Sequence, residues 1–177
     1  MAFPMKITDT PVNTDILYNN KWKLTDLYFQ NTDGGYNCSY INTLNKQVTE
    51  NANEALIYLL QRSIKEGEGW NEQKMAEFTP EEFSNLVIDW GYLASPTGEN
   101  ISTGEFWQYY MAINNGMREE KSYSLAKNGI AITEIDPEFL EERNIISVTS
   151  FVNGWNWMQI FFETYSHWVF FTWVAAE

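Results

Sequence analysis

The stretch IISVTSFVNGWNWMQIFFETYSHWVFFTWVAA, residues 145–176, decides the fold of this chain. Ten of the 23 residues in 151–173 are aromatic. Two turn signals, Asn153-Gly154 and the polar run 163–167, divide the stretch into three segments of strand length. We therefore predict a three-stranded antiparallel meander in which Asn153-Gly154 is a two-residue turn closed by Val152 and Trp155.

Alternation along each strand sorts the side chains of this meander onto two faces. On the middle strand one face carries Trp155, Trp157, Gln159 and Phe161, and the other carries Asn156, Met158, Ile160 and Phe162. On the last strand the two sets are Trp168, Phe170, Thr172 and Val174, and Val169, Phe171, Trp173 and Ala175. Both faces are largely apolar, so we expect both to be covered.

Three arrangements would cover two apolar faces. The strands can lie at the centre of a larger sheet or curled barrel, they can form an interface with another subunit or partner, or they can line a pocket for a sugar ring or a flat heterocycle. The sequence favours the first arrangement and leaves the other two open.

Three helices are predicted before this meander, and the second has the clearest signal. Thr79-Pro80-Glu81-Glu82 supplies an N-cap, a proline at the first helical position and acids in the first turn. Gly91 ends the helix, whose core stripe is Phe83, Leu86, Val87 and Trp90. The first helix begins at Asn51 and ends at Gly67, and its core stripe is Ala55, Leu56, Leu59 and Leu60. The third begins at Ser102 and ends at Gly116, and its core stripe is Phe106, Tyr109, Tyr110 and Ile113.

Period-two segments predict further strands. Residues 21–41 indicate a hairpin with a Gly-containing loop at 31–35, and Asn128-Gly129 indicates a second hairpin. Residues 136–143 favour one short helix, and residues 1–19 an extended N-terminal arm. We predict a single α+β domain, residues 1–177, with antiparallel β-hairpins at the N- and C-terminal ends packed against about three central helices.

The charge is strongly acidic. The chain has 24 Asp and Glu against 11 Lys and Arg, a net charge of −13, and no Lys or Arg after Arg143. Nine acids and one base, Lys74, lie between Glu66 and Glu105. Direct binding to nucleic acid or to an anionic membrane is therefore not expected, because both depend on cationic side chains. The acidic surplus suits either solubility alone or a partner with a basic surface.

Signals for catalysis, metals and cofactors are weak. The lone Cys38 and the lone His167 form no local motif, the acids Glu134, Asp136, Glu138, Glu141 and Glu142 lack the spacing of a calcium loop, and no phosphate-binding loop is present. We predict no catalytic residue, no metal site and no cofactor. Without an apolar leader or an 18-residue apolar stretch, we expect a cytoplasmic protein, or a virion protein if phage-encoded, that is not secreted.

These features favour a non-enzymatic acidic interaction protein that binds a macromolecular partner with a basic surface, as phage-encoded inhibitors, immunity proteins and nucleic-acid mimics do. The expected partner is a protein, or another copy of the chain. The residues predicted to contact it are Glu72, Glu77, Glu81, Glu82, Asp89, Trp155, Trp157, Trp168 and Trp173. Two alternatives remain open: a structural subunit of an assembly such as a phage virion, and a small-molecule or glycan-binding protein or carboxylate-dependent hydrolase built on the C-terminal aromatics, with Asp89, Glu105 and Glu163 as nearby carboxylates.

Overall fold

The structure, a computed structural model, describes residues 5–6, 24–31, 36–68, 77–119, 123–131 and 141–176. Within these ranges the strands are β1 (Met5–Lys6), β2 (Leu24–Asn31), β3 (Tyr36–Asn45), β4 (Thr97–Ile101), β5 (Tyr123–Lys127), β6 (Ile130–Ala131), β7 (Ile145–Asn153), β8 (Trp157–Thr164) and β9 (His167–Ala176). The helices are α1 (Ala52–Glu68), α2 (Pro80–Asp89) and α3 (Thr103–Glu119), and a 3-10 turn spans Glu142–Asn144.

All of these strands belong to one antiparallel sheet with the order β1-β4-β7-β8-β9-β3-β2-β5-β6. The long pairing of β9 with β3, from Tyr36 opposite Ala176 to Asn45 opposite His167, joins the N-terminal hairpin to the C-terminal meander. The α+β class is confirmed. The predicted arrangement is right only in part, because the hairpins from the two ends of the chain share a single dominant sheet.

Helices cover both faces of this sheet. Helices α1 and α2 pack in one cluster with Phe161 and Phe170. Helix α3 packs on the opposite face, where the ring of Phe106 lies 4.9 Å from that of Phe162 and 6.2 Å from that of Phe171. Burying such a side chain contributes about 2–3 kcal/mol. The aromatic meander therefore lies at the centre of a larger sheet, as the sequence favours, and is covered by the chain itself.

The helix starts follow their capping signals. Thr79 Oγ1 accepts a hydrogen bond from the Glu82 N–H at 3.2 Å, and the Glu82 carboxylate accepts one from the Thr79 N–H at 2.8 Å. Both halves of a capping box are thus present. The equivalent cap bonds of α1 and α3 run from the N–H of Glu54 to Asn51 and from the N–H of Glu105 to Ser102, each at 3.1 Å.

The predicted helix ends are less accurate. Gly91 has φ of +74° and terminates α2 as expected. Helices α1 and α3 instead continue through Gly67 and Gly116 to Glu68 and Glu119. A glycine inside a helix costs only about 1 kcal/mol relative to alanine, so it does not by itself stop a helix.

One of the two predicted Asn-Gly turns is wrong. Asn128 and Gly129 have φ of +50° and +77° and join β5 to β6 as a two-residue turn. Asn153 has no positive φ and pairs with Met158, and the β7–β8 connection spans residues 154–156. A register shift between Ser150 and Val152 moves the end of β7 by one residue, which is the effect of a β-bulge.

Strand β4 is the element that the sequence analysis missed. The three central residues of its sequence TGENI, Gly98, Glu99 and Asn100, have weak strand propensity. It pairs with β7 and with β1, near the edge of the sheet. The predicted helix 136–143 lies outside the described residues except for its last three positions, and of the predicted arm only Met5–Lys6 is described, as β1.

Candidate partner-binding surface

The solvent side of α2 carries three carboxylates. Glu81, Glu82, Asn85 and Asp89 are all exposed, while the opposite side of the helix is buried in the core. Since successive residues turn by about 100°, these four side chains fall within a sector of about 100°. We refer to these four residues and the following Trp90 as the α2 surface.

No described neighbour neutralises the charge of the α2 surface. Neither Glu81 nor Asp89 contacts a basic side chain in the described part of the chain. The segment 75–117 contains six acidic residues and no basic one. Elsewhere, ion pairs among the described residues include Lys46–Glu163, Arg62–Asp26 and Arg143–Glu141. Because these three basic side chains are already paired with other carboxylates, they do not neutralise the carboxylates of α2.

Glu82 contributes to both the fold and the charge of this surface. The Thr79 backbone N–H, with a further contribution from the Thr79 side chain, lowers the pKa of the Glu82 carboxyl. A carboxylate at a helix N-terminus is also favoured by the helix dipole. Glu82 therefore keeps its negative charge under more acidic conditions than an ordinary glutamate does.

Trp90 is the aromatic member of the α2 surface, and its predicted place in the core stripe is wrong. Its side chain is 47% exposed. It stands at the C-cap of α2, where Gly91 turns the chain away from the helix axis. A residue at the C-cap is not constrained to the buried side of the helix. Because Gly91 was predicted to end the helix, the sequence already placed Trp90 at this cap. Tryptophan is over-represented among residues that anchor protein interfaces.

A buried amide fixes the C-terminal end of α2 against the sheet. Gln159 of β8 is 2% exposed and lies between Trp157 and Phe161 on one face of the strand. Its Nε2 donates to the Tyr92 carbonyl at 3.1 Å, and its Oε1 accepts from the Ala94 N–H at 2.7 Å. The loop that follows Trp90 is therefore held over the first residues of β8, which begins at Trp157.

Three of the nine predicted contact residues lie on the α2 surface. Glu81, Glu82 and Asp89 share the exposed side of α2. Trp157 lies two residues before Gln159 and on the same face of β8, and it is half-buried. Trp155, in the β7–β8 connection, is 85% exposed. Glu77 is exposed and precedes α2, whereas Glu72 lies outside the described residues.

The other two predicted tryptophans are separate from this surface. Trp168 is 3% exposed, its ring stacks on Phe161 at 5.7 Å, and its Nε1 donates to the Thr49 carbonyl at 2.9 Å. Trp173 points to the α3 face, where its Nε1 donates to Asn37 Oδ1 at 2.7 Å. Both rings are parts of the core packing, and neither shares a patch with the acids of α2.

The structure does not bring together the groups considered for catalysis. His167 pairs with Asn45, and Cys38 lies seven residues further along β3, about 23 Å away at 3.3 Å per residue, so the two form no dyad. Asp89 and Glu105 belong to helices on opposite faces of the sheet. In the described ranges no three His, Cys, Asp or Glu side chains are grouped to hold a metal ion.

Comparisons with protein-family models, with curated proteins and with solved structures find no match for this chain. None of the helices described above is long and apolar enough to cross a membrane.

Proposed function

We propose that this chain is a non-enzymatic interaction protein that binds a macromolecular partner with a basic surface through the α2 surface. The observation that supports the proposal is that an exposed tryptophan, Trp90, directly follows Asp89 at the end of a helix face that also carries Glu81, and neither carboxylate contacts a basic side chain among the described residues. Carboxylates bind Lys and Arg in charge-assisted hydrogen bonds. A tryptophan face attracts the same cations, and a guanidinium also stacks on it.

The geometry suits a partner that presents a row of cations. Glu81 and Asp89 are eight residues apart, about 12 Å along the helix axis, so two side chains of a basic helix or groove can contact them together. Trp90 then covers one end of this row. An inhibitor, an immunity protein or a nucleic-acid mimic would act by occupying such a basic site and excluding its usual anionic ligand.

The experiment compares two variants with equal changes in charge. The α2 variant is Glu81→Gln/Asp89→Asn/Trp90→Ala, and the control, on the α3 side, is Glu105→Gln/Glu142→Gln/Tyr109→Ala. Each removes two carboxylates and one exposed aromatic ring. Capture of partners from cell extract, followed by titration of a synthetic Lys/Arg-rich peptide, measures binding by both.

We expect the α2 variant to lose binding and the control to keep it. Binding by the wild type should weaken steeply between about 50 and 500 mM salt, because screening removes the contribution of exposed charges. Equal binding by both variants, or binding that salt does not change, would contradict the proposal. If light scattering shows only self-association, the alternative of an assembly subunit replaces it.

A further inference from the structure

A second surface lies at the end of the sheet where the β3–α1 connection meets the β8–β9 turn. The Lys46 N–H donates to the Ser166 carbonyl at 2.9 Å and joins the two connections. Between them is an open cleft of about 550 Å³, within the range of small-molecule sites. Its lining residues are Lys46, Gln47, Glu50, Glu163 and Tyr165.

The floor of this cleft is held rigidly. Lys46 Nζ donates to Glu163 Oε1 at 2.5 Å and to the Thr164 carbonyl at 3.4 Å, and it lies 4.9 Å from the centre of the Trp168 ring. Glu163 Oε2 accepts from Ser147 Oγ at 3.2 Å. These contacts fix an ammonium and a carboxylate side by side, so a ligand meets a donor and an acceptor already in place.

The rim of the cleft has polar side chains without a partner among the described residues. The side chains of Gln47, Glu50 and Tyr165 are exposed and make no hydrogen bond or ion pair with the described residues. They offer an amide, a carboxylate and a phenol with its ring. Tyr165 is 73% exposed, so its ring face is accessible to a ligand.

The charges select against anionic ligands. Lys46 and Glu163 neutralise each other, and Glu50 adds one negative charge to the rim. An anion would approach Glu50 and an ammonium that is already paired, while a cation would find only the single carboxylate of Glu50, because Glu163 already accepts from Lys46 and Ser147. A neutral polyol carries no charge to be repelled, and each of its hydroxyls can donate to a carboxylate and accept from an ammonium or amide. A sugar ring also has an apolar C–H face that can pack on Tyr165.

We infer that this cleft is a binding site for a neutral carbohydrate. Lys46 and Glu163 bind adjacent hydroxyls, Gln47 and Glu50 bind hydroxyls at the rim, and Tyr165 packs on the ring face. The site is separate from the α2 surface: it lies at the far end of β8 from Trp157, about 20 Å along the strand. If the cleft binds no carbohydrate, the proposal for the α2 surface is unaffected.

The test is titration of the labelled protein with glucose, galactose, mannose and N-acetylglucosamine, followed by the backbone amide shifts in NMR spectra. We expect saturable shifts at residues 46–50 and 163–167 with at least one of these sugars, with a dissociation constant of about 1 mM. Tyr165→Ala and Glu50→Ala each weaken binding about tenfold, and Trp155→Ala, which removes an exposed ring at the other end of β8, leaves it unchanged.

Both cleft substitutions remove exposed side chains, so their thermal unfolding should match that of the wild type. The inference is overturned if none of the sugars shifts these amides at about 50 mM. It is also overturned if phosphate, acetate or lysine produces shifts as large as those of the best sugar, or if Tyr165→Ala does not weaken binding.

Discussion

The side-chain amide of Gln159 accepts a hydrogen bond from the backbone N–H of Ala94 at 2.7 Å, across the boundary between the central strand and the loop that follows α2. Its Nε2 serves the Tyr92 carbonyl, so both polar groups of the amide and two backbone groups of the loop are satisfied. A buried polar group without such partners is costly, so this pair of bonds requires glutamine at a position among aromatic residues.

Replacing Gln159 by leucine should therefore destabilise the fold. The Ala94 N–H and Tyr92 carbonyl would lose their partners, and we expect the free energy of unfolding to fall by about 2–4 kcal/mol. Chemical denaturation measures this change, and hydrogen exchange at Ala94 should become faster. Gln108→Leu, on the exposed side of α3, should change the free energy of unfolding by less than about 0.5 kcal/mol. An equal effect of the two substitutions would show that the amide bonds do not matter.

The second prediction concerns Gly98 in β4. A Cβ at this position would lie 2.4 Å from Thr149 Cγ2 and 3.0 Å from the Phe151 ring, closer than side chains pack. Gly98→Ala should lower the free energy of unfolding by about 1–3 kcal/mol, since β4 must shift away from β7.

Gly104 in the first turn of α3 is the matched control for Gly98. No atom lies within 4 Å of a Cβ placed there. Gly104→Ala should stabilise the protein by up to about 1 kcal/mol, because alanine has the higher helix propensity. If thermal and chemical unfolding rank the two alanine variants in the reverse order, the close approach of β4 to β7 is wrong.

The third prediction is a loss of stability in acid that depends on Glu82. Its pKa in the folded protein is lowered by the hydrogen bonds with Thr79. A carboxyl with a lowered folded-state pKa stabilises the fold above its unfolded pKa, and this contribution disappears as the pH falls below about 4.5. Glu82→Gln should make the unfolding temperature less dependent on pH in this range. Glu81→Gln, which leaves the capping box intact, should retain the wild-type pH dependence.

The fourth prediction concerns alkaline pH and Tyr58 in α1. Burial raises the pKa of its hydroxyl from 10.0 to about 12, and the nearby positive charge of Arg62 opposes part of this rise. Between these two pH values the unfolded chain loses its proton before the folded one does, so stability falls as the pH rises. Tyr58→Phe should make this fall shallower, whereas Tyr165→Phe, at a 73% exposed site, should not. Chemical denaturation from about pH 9 to 12 distinguishes the two.

Much of the local structure could be read from the sequence because its signals are local. Thr79 and Glu82 form their capping box within four residues, and Asn128-Gly129 turns within two. The burial of β8 and β9 on both faces could also be predicted, because apolar residues occupy both the odd and the even positions of these strands. Strand β4 was not readable, because its pairing with β7 depends on the close approach of Gly98 to Thr149, about 50 positions away in the chain.

The α2 surface, too, was predicted only in part from the sequence. Glu81, Glu82 and Asp89 were predicted as contact residues because they lie in an acidic stretch of the sequence, and in the structure all three lie on the exposed side of α2. Trp90 was assigned to the wrong environment, and Trp168 was placed among the contact residues although it is buried. The exposure of an aromatic ring depends on what packs over it, and for Trp168 that is Phe161 and the connection at Thr49.

The sequence alone determined that residues 145–176 form a meander with two apolar faces and that the chain is strongly acidic. The tertiary structure decided which elements cover those faces: α1 and α2 on one side and α3 on the other, with β3 beside β9. The physical reason is that side-chain periodicity is a local property, which fixes the direction each residue faces within its own element. The choice of packing partner depends on contacts between residues far apart in the chain, such as Phe106 with Phe162 and Tyr36 with Ala176. Each of α1, α2 and α3 offers an apolar stripe that suits either face.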